Sequence, residues 1–298
     1  MINLLDISYV RLGTRDLLGA QRFARDVLGL ELVRSEAAGS YFRSDNRDHT
    51  LLYFDGDPSD HTVGFELSSA AELEAAAAEL SNRGVPVHAG TPQECELRHV
   101  RAFIAFKDLT GNQIELVYAP HHSGRRYFPA RDAGITGFSH VGLCTTDAGR
   151  DERFWTEVLG ARVSDRIGDA PLLRIDEVHH KIALFPTTRS GVQHINHQVE
   201  GIDDIMRAWY MLQKLNVPIA FGPGRHPTSG AMFLYFRGPD NMIFEYSSGV
   251  RLITAEQEAS HVPRQFPRSN ESFCMWGAVP DIAEFRKVDA AIDTEVNA

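Results

Sequence analysis

Apolar and polar residues alternate with a period of two in several short stretches of this chain, and the stretches recur in the same order. Such alternation predicts a strand at 7–12 and another at 139–144. Each is followed by a segment with apolar residues three and four positions apart, which predicts helices at 17–28 and 148–159. The later predicted elements are strand–helix pairs at 62–81 and 195–215, and closing strands at 102–107, 112–118, 231–237 and 241–247.

The recurrence extends to the residues themselves. DISYVRLGTRD (6–16) matches GFSHVGLCTTD (137–147), and AELSNRGVPV (78–87) aligns without gaps on YMLQKLNVPI (210–219). An internal repeat of this length indicates two copies of one structural unit. We predict an α+β fold of two tandem domains, each built of paired βαβββ modules that form a curved mixed sheet around a concave site. The predicted ranges are 1–125 and 137–250 for the domains, 126–136 for a linker and 251–298 for a C-terminal extension.

Composition narrows the classes of function. The 298 residues are 43% hydrophobic and 23% charged, as in ordinary globular proteins, and the net charge is −10. An acidic chain is poorly suited to bind nucleic acid or an anionic membrane surface, so neither is expected as a partner. The three cysteines are scattered and the N-terminus lacks a basic, apolar leader. Both features are typical of a reducing compartment, and we expect a cytoplasmic protein.

Candidate metal ligands occur in the second copy. His140 opens the first strand of that copy, His197 begins the strand before its second helix, and Glu245 lies in its last strand. Two imidazoles and one carboxylate are the ligand set of a facial triad, which suits Fe(II) and leaves positions open for substrate and dioxygen. His194 is ranked below His197, because residues three apart lie on opposite faces of a regular strand.

The first copy serves as an internal control. Tyr9, Phe65 and Glu115 stand at the places that correspond to the three candidate ligands. A phenol, a benzyl group and one carboxylate hold a divalent ion poorly. We therefore predict that the first domain is metal-free and is retained for packing and for shaping the site.

A motif near the end of the second copy resembles a known family. In GPGRHPTSGAMFLYF and the residues after it, His226, Tyr235, Pro239 and Glu245 fill the signature of the type I extradiol ring-cleaving dioxygenases. These enzymes belong to the vicinal oxygen chelate superfamily, and the resemblance covers roughly residues 5–250. Gly238 and Asn241 depart from the pattern at turn positions.

The resemblance implies roles for six residues. His140, His197 and Glu245 would be the iron ligands, and His180 the acid/base histidine. His226 and Tyr235 would form hydrogen bonds beside substrate and oxygen. His179 is expected to point away from His180, and an apolar pocket for the substrate ring is expected from Phe185, Ile182, Leu184, Met232 and Trp276.

The same resemblance implies a cofactor, partners and a reaction. The cofactor is Fe(II), with Mn(II) as an alternative, and the partners are dioxygen and a substituted catechol such as 2,3-dihydroxybiphenyl, an alkylcatechol or 2,3-dihydroxy-p-cumate. The product is a muconic semialdehyde-type acid, and the protein is expected to be a homo-oligomer. Three other interpretations stay open: a glyoxalase-like metal-dependent isomerase, a metal-free protein of the same fold that binds a small molecule, and a protein with an isolated structural metal site.

Overall fold

The computed structural model describes residues 1–286, so residues 287–298 of the predicted extension lie outside it. Within the described residues the strands form two mixed sheets, one for each copy of the repeat. The strands of the first sheet are β1 (Ile7–Thr14), β2 (Glu31–Glu36), β3 (Gly39–Arg43), β4 (Leu51–Asp55), β5 (His61–Leu67), β6 (His88–Ala89), β7 (Val100–Lys107) and β8 (Gln113–Pro120). Those of the second are β9 (Ile135–Thr145), β10 (Arg162–Ile167), β11 (Ala170–Arg174), β12 (Ile182–Pro186), β13 (Val192–Val199), β14 (Ile219–Arg225), β15 (Met232–Arg237), β16 (Ile243–Ser248) and β17 (Arg264–Phe266).

The helices also follow the repeat. The helices of the first domain are α1 (Leu17–Arg22), α2 (Ala70–Asn82) and α3 (Pro92–Arg98), and those of the second are α4 (Ala148–Glu157) and α5 (Ile202–Lys214). The extension adds α6 (Ala255–Glu258) and α7 (Asn270–Phe273). The predicted helix at 17–28 is α-helical only as far as Arg22, and a π-helical turn continues it to Val27.

The two sheets share one strand order. The first runs β2-β3-β4-β1-β5-β8-β7-β6, and the second runs β14-β15-β16-β13-β9-β12-β11-β10, with β17 of the extension added beyond β10. Each domain therefore consists of two βαβββ modules joined side by side through their first strands, β1 with β5 and β9 with β13. The predicted α+β fold of two tandem domains is confirmed.

The helices cover the face of each sheet that is opposite its concave side. In α5 the buried residues Ile205, Ala208 and Leu212 recur at helical spacing and join the larger hydrophobic core. That core is continuous between the domains: Trp155 of α4 packs edge-on against Phe65 of β5 at a ring-centroid distance of 5.5 Å. Burial of both rings holds the two domains together by the hydrophobic effect.

A second apolar cluster lies on the concave side of the second sheet. It joins residues of β11, β12, β14 and β15 to Phe273, Ile282 and Phe285 of the extension. The extension therefore closes over the concavity rather than extending away from the body. Within residues 1–286 no helix has the length and apolar character needed to span a bilayer.

Candidate metal centre

Three buried donor atoms meet on the concave side of the second sheet. His140 Nε2 lies 3.0 Å from His194 Nε2 and 3.1 Å from Glu245 Oε2. The third side of this triangle, from His194 Nε2 to Glu245 Oε2, measures 3.5 Å. First-row divalent ions bind such donors at about 2.0–2.2 Å, and two donors at right angles at that distance are about 3.0 Å apart. The triangle therefore has the size of one face of a metal coordination sphere.

Adjacent strands bring the three side chains together. Asn196 of β13 pairs with His140 of β9 on one side and with Glu245 of β16 on the other. His194 lies two residues before Asn196 and therefore on the same face of β13. It pairs with Gly142, where a Cβ atom would clash with His194 Nδ1. Glycine at this position leaves the space that the His194 ring needs.

The structure corrects the prediction for His197. This residue pairs with Phe138 instead of His140, and the two rings meet at right angles with centroids 5.4 Å apart. A register shift between Asn196 and His197 lets the β9–β13 ladder skip one residue, as in a β-bulge, which reverses the face that later residues present. His197 directly follows Asn196 and is therefore buried on the face opposite His140, whereas His194 occupies the position beside His140 that was predicted for His197.

The protonation of His194 and Glu245 fits a bound cation. His194 Nδ1–H donates to Gln193 Oε1, which leaves the lone pair of Nε2 directed at the triangle. Burial, with the nearby His140, lowers the pKa of His194 to about 3, so this imidazole is neutral at pH 7. Burial alone would raise the pKa of Glu245, but the nearby imidazole of His140 holds that pKa well below its usual value.

One oxygen of the carboxylate lacks a hydrogen-bond donor. Glu245 Oε2 is buried and accepts no hydrogen bond from residues 1–286. A buried anionic oxygen without a partner is energetically costly. A divalent ion at the triangle would compensate that charge, so the residues present fit a metal held by two imidazoles and one carboxylate.

His180 lies beside the triangle and is oriented by a chain of hydrogen bonds. Its ring centroid is 4.3 Å from that of His140, and its Nδ1 is 3.1 Å from His179 Nδ1. His179 Nε2–H donates to Asp165 Oδ2 at 2.8 Å. His179 Nδ1 must then accept from His180 Nδ1–H, which leaves His180 Nε2 unprotonated. The expectation that His179 points away from His180 was wrong, since His179 is fully buried and bonded to it.

Asp165 is fixed as an anion by the extension. Arg264 donates to it from the backbone N–H at 3.0 Å and from Nη2 at 2.6 Å. Burial opposes ionisation of this carboxyl, yet hydrogen bonds from His179 and Arg264 hold its pKa well below the usual value. Sequence reasoning missed Asp165 because no local pattern joins it to Arg264, which comes 99 residues later.

His226 and Tyr235 lie on the other side of the triangle. His226 Nδ1–H donates to the carbonyl of Phe273 at 2.7 Å, so its Nε2 accepts from the Tyr235 hydroxyl at 3.2 Å. His226 Nε2 is also 3.7 Å from Glu245 Oε1. Burial, with the nearby carboxylate of Glu245, raises the pKa of Tyr235 well above its usual value and keeps the phenol neutral. The structure therefore brings His180, His226 and Tyr235 together around His140 and Glu245.

The apolar lining differs in part from the expected one. Phe185 contacts the ring of His194 at a centroid distance of 5.8 Å, as a pocket residue should. Ile182 and Leu184 point into the larger core on the opposite face, and Trp276 is 51% exposed. The rings that do line the concavity with Phe185 are Phe221, Phe233, Phe273 and Phe285.

In the first domain, side chains fill the corresponding place. The Tyr9 hydroxyl donates to Glu115 Oε2 at 2.5 Å. The Arg98 guanidinium binds the same carboxylate, with Nη2 2.6 Å from Oε1. Phe65, the counterpart of His197, packs against Trp155 on the far face. A guanidinium thus balances the charge of Glu115, as a metal ion would balance that of Glu245.

Removing this guanidinium should destabilise the protein. We expect Arg98→Met to lower the free energy of unfolding by about 3 kcal/mol, because Glu115 would remain as a buried charge with the Tyr9 hydroxyl and a weaker ion pair to Arg11, whose Nη1 lies 3.7 Å from Oε1. The double variant Arg98→Met/Glu115→Gln should recover part of the loss, while Arg101→Met, at an exposed site on the next strand, should change stability by less than about 0.5 kcal/mol. Urea denaturation measures all three, and equal stability of Arg98→Met and wild type would contradict the charge-balancing role.

The amino-acid sequence is similar to those of known dioxygenases. Residues 6–116 and 137–246 match the family model for the Glyoxalase/Bleomycin resistance protein/Dioxygenase superfamily. The chain is 27% identical to the iron-dependent extradiol dioxygenase of Rhodococcus jostii (strain RHA1), over 93% of this chain and 97% of the relative. It is 25% identical to the 1,2-dihydroxynaphthalene dioxygenase of Sphingobium xenophagum, over 87% and 93% of the two chains.

Solved structures share the fold. A halotolerant catechol dioxygenase superimposes with a TM-score of 0.85 at 23% identity, covering 96% of this chain and 98% of the other. The Mn(II)-bound glyoxalase from Novosphingobium aromaticivorans superimposes with a TM-score of 0.84 at 23% identity, covering 97% and 96%. Because one fold carries both chemistries, this likeness supports the architecture and leaves the reaction to be argued from the site.

Proposed function

This chain belongs to the Glyoxalase/Bleomycin resistance protein/Dioxygenase superfamily, and from that premise we propose that it cleaves a substituted catechol with dioxygen at a non-haem Fe(II) centre. The observation that carries the proposal is the triangle of His140 Nε2, His194 Nε2 and Glu245 Oε2, with sides of 3.0–3.5 Å. A relative that spans nearly the whole chain is named an iron-dependent extradiol dioxygenase, which favours iron as the metal. Mn(II) is the alternative for the same ligand set.

The reaction balances without a further reductant. The metal, when bound, would supply open positions for both catechol oxygens and dioxygen, and a route for electrons between them. The carbon–carbon bond that breaks joins one hydroxyl-bearing carbon of the ring to the adjacent carbon without a hydroxyl. Both atoms of dioxygen enter the product. One becomes part of a carboxyl group and the other a carbonyl oxygen, which gives a muconic semialdehyde-type acid.

The side chains around the triangle would handle the protons. His180 Nε2 is unprotonated and adjacent to His140, so it would accept a proton from a catechol hydroxyl and return it as the ring opens. Tyr235 stays neutral, and its single hydroxyl proton, which points to His226 Nε2 in this structure, would turn to oxygen that gains negative charge. Phe185 and the other rings of the concavity would pack on the catechol and exclude water.

The two consecutive hydrogen bonds from Asp165 to His179 and from His179 to His180 should act by positioning His180. We expect Asp165→Asn to lower kcat about 10–100-fold with metal content retained, because the tautomer of His180 loses its anionic anchor. In a His180→Ala background the same change should have no further effect, since residues that act as a unit are not additive. Asp169→Asn, exposed and close in sequence, is the control. An equal loss of kcat in both backgrounds would show that Asp165 acts otherwise.

The proposed function is tested by oxygen uptake. Protein reconstituted with Fe(II) under argon receives 2,3-dihydroxybiphenyl, 3-methylcatechol or 2,3-dihydroxy-p-cumate, and oxygen is then admitted. We expect a yellow product to form with one dioxygen consumed per catechol, and no reaction in metal-free protein. Absence of uptake with all three catechols, in protein shown to hold iron, would contradict the proposal.

A further inference from the structure

We infer that Phe285 of the extension determines which catechols the site accepts, by closing the ring pocket against substituents as large as a second aromatic ring. The inference rests on the proposed function and names the substrate class within it: catechols of a single ring with small apolar substituents. It follows from the position of Phe285, from the way its segment is fastened, and from the distance between its ring and the metal-binding side chains.

Phe285 is inserted among the rings that line the concavity. It is 2% exposed, and its ring centroid lies 4.8 Å from that of Phe185 and 4.9 Å from that of Phe273. The rings of Tyr235 and Phe221 follow at 5.7 and 6.0 Å. These are the spacings of aromatic rings in van der Waals contact, so a further ring does not fit between them.

The same side chain lies close to the metal-binding residues. The centroid of the Phe285 ring is 6.4 Å from that of His194, and Phe185 contacts His194 from 5.8 Å. Tyr235, which we propose to contact substrate oxygen, has its ring 5.3 Å from that of His194. A catechol whose oxygens lie at the donor triangle and beside Tyr235 therefore places part of its ring or a substituent toward Phe285.

The segment that carries Phe285 is fastened at several points. The Asp281 N–H donates to the carbonyl of Ala220 at 2.7 Å, and Arg237 Nη2 donates to the Asp281 carbonyl at 2.6 Å. Arg268 Nη2 donates to the carbonyl of Glu284 at 2.8 Å. A large substituent would have to break several of these bonds to displace the ring, so Phe285 acts as a fixed wall.

The experiment compares two catechols that differ in substituent size, 3-methylcatechol and 2,3-dihydroxybiphenyl, in iron-loaded full-length protein. Wild type should favour 3-methylcatechol in kcat/KM. F285A should shift the kcat/KM ratio toward 2,3-dihydroxybiphenyl by about tenfold or more, as expected for opening an apolar pocket. F285L should shift it less, and W276A, at an exposed aromatic of the same extension, should leave it unchanged.

Equilibrium binding separates this inference from the proposed function. Dissociation constants of both catechols are measured anaerobically by calorimetry for wild type, F285A and F285L, and the ratio of the two constants should shift in the same direction as kcat/KM. Unchanged ratios in both variants, with the iron content of wild type, would overturn the role of Phe285. Iron-loaded wild type that binds catechols with the expected preference but consumes no oxygen would contradict the proposed reaction and leave the pocket assignment supported.

Discussion

His194→Ala should lose its bound iron, with an affinity for Fe(II) reduced more than about 100-fold, because even outer partners of metal ligands are worth about 10–100-fold. The imidazole of His194 supplies one corner of the donor triangle, and its Nδ1 is already committed to Gln193. Alanine leaves His140 and Glu245 as the remaining donors. Iron per chain, measured by mass spectrometry of metals after desalting, gives the result directly.

The matched control is His197→Phe. Phenylalanine is the residue that the first domain carries at the equivalent place, Phe65, where it packs on the face away from the concavity. We expect this variant to retain the iron content of wild type, since His197 lies against Phe138 on the far side of the sheet. Loss of iron in His197→Phe together with retention in His194→Ala would reverse the ligand assignment.

His180→Ala should keep its iron and lower kcat by about 10²–10⁴-fold, the usual contribution of a positioned acid/base group. His180 is adjacent to His140 without being one of the three donors, so its removal leaves the triangle intact. Turnover at saturating catechol and oxygen, normalised to bound iron, measures the effect.

His49→Ala controls for the loss of a buried histidine. His49 stands at the repeat position of His180 in the first domain, where it bonds to Asp48 and stacks on Tyr9. We expect its kcat per bound iron to equal that of wild type. If His180→Ala loses iron in proportion to its activity, His180 holds the metal site together and is not the acid/base.

The two domains resolve one electrostatic problem in two ways. Each places a glutamate on the strand next to the second module's first strand, in the buried concavity: Glu115 in one and Glu245 in the other. In the first domain Arg98 and Tyr9 satisfy the carboxylate from within the chain. In the second, His140 stands in the place of Tyr9, His194 Nε2 lies 3.5 Å from the carboxylate, and we propose that a metal ion supplies the positive charge. A buried carboxylate needs either such partners within the protein or a bound cation to compensate its charge.

The fold and part of the site could be predicted from the sequence. Period-two and helical patterns, with the repeat between the two halves, were sufficient for the first strand and helix, the second strand–helix pair and the closing strands of each domain, but not for α3 or the short strands between them. Glu245 and His140 were found because the first domain offers Glu115 and Tyr9 for comparison. Alternation along β13 shows that His194 and His197 lie on opposite faces, but it leaves open which face looks toward the concave side. The inward face is decided by the register of β13 against β9, which the local pattern does not encode.

The contribution of the extension depends on contacts between distant parts of the chain. Arg264 reaches Asp165 across 99 residues, and Phe285 reaches Phe185 through a segment without a helical or strand period. Trp276, which was expected in the pocket, is half exposed. Such tertiary placement is decided by packing, and single-sequence patterns carry little information about it.

Anomalous diffraction at the iron edge, from crystals of the Fe(II)-loaded protein grown under argon, would locate the metal directly. We expect one strong peak within bonding distance of His140 Nε2, His194 Nε2 and Glu245 Oε2, and two catechol oxygens bonded to that peak after an anaerobic soak with 3-methylcatechol. A peak bonded to His197, or a peak at the triangle that no catechol oxygen reaches, would contradict this expectation.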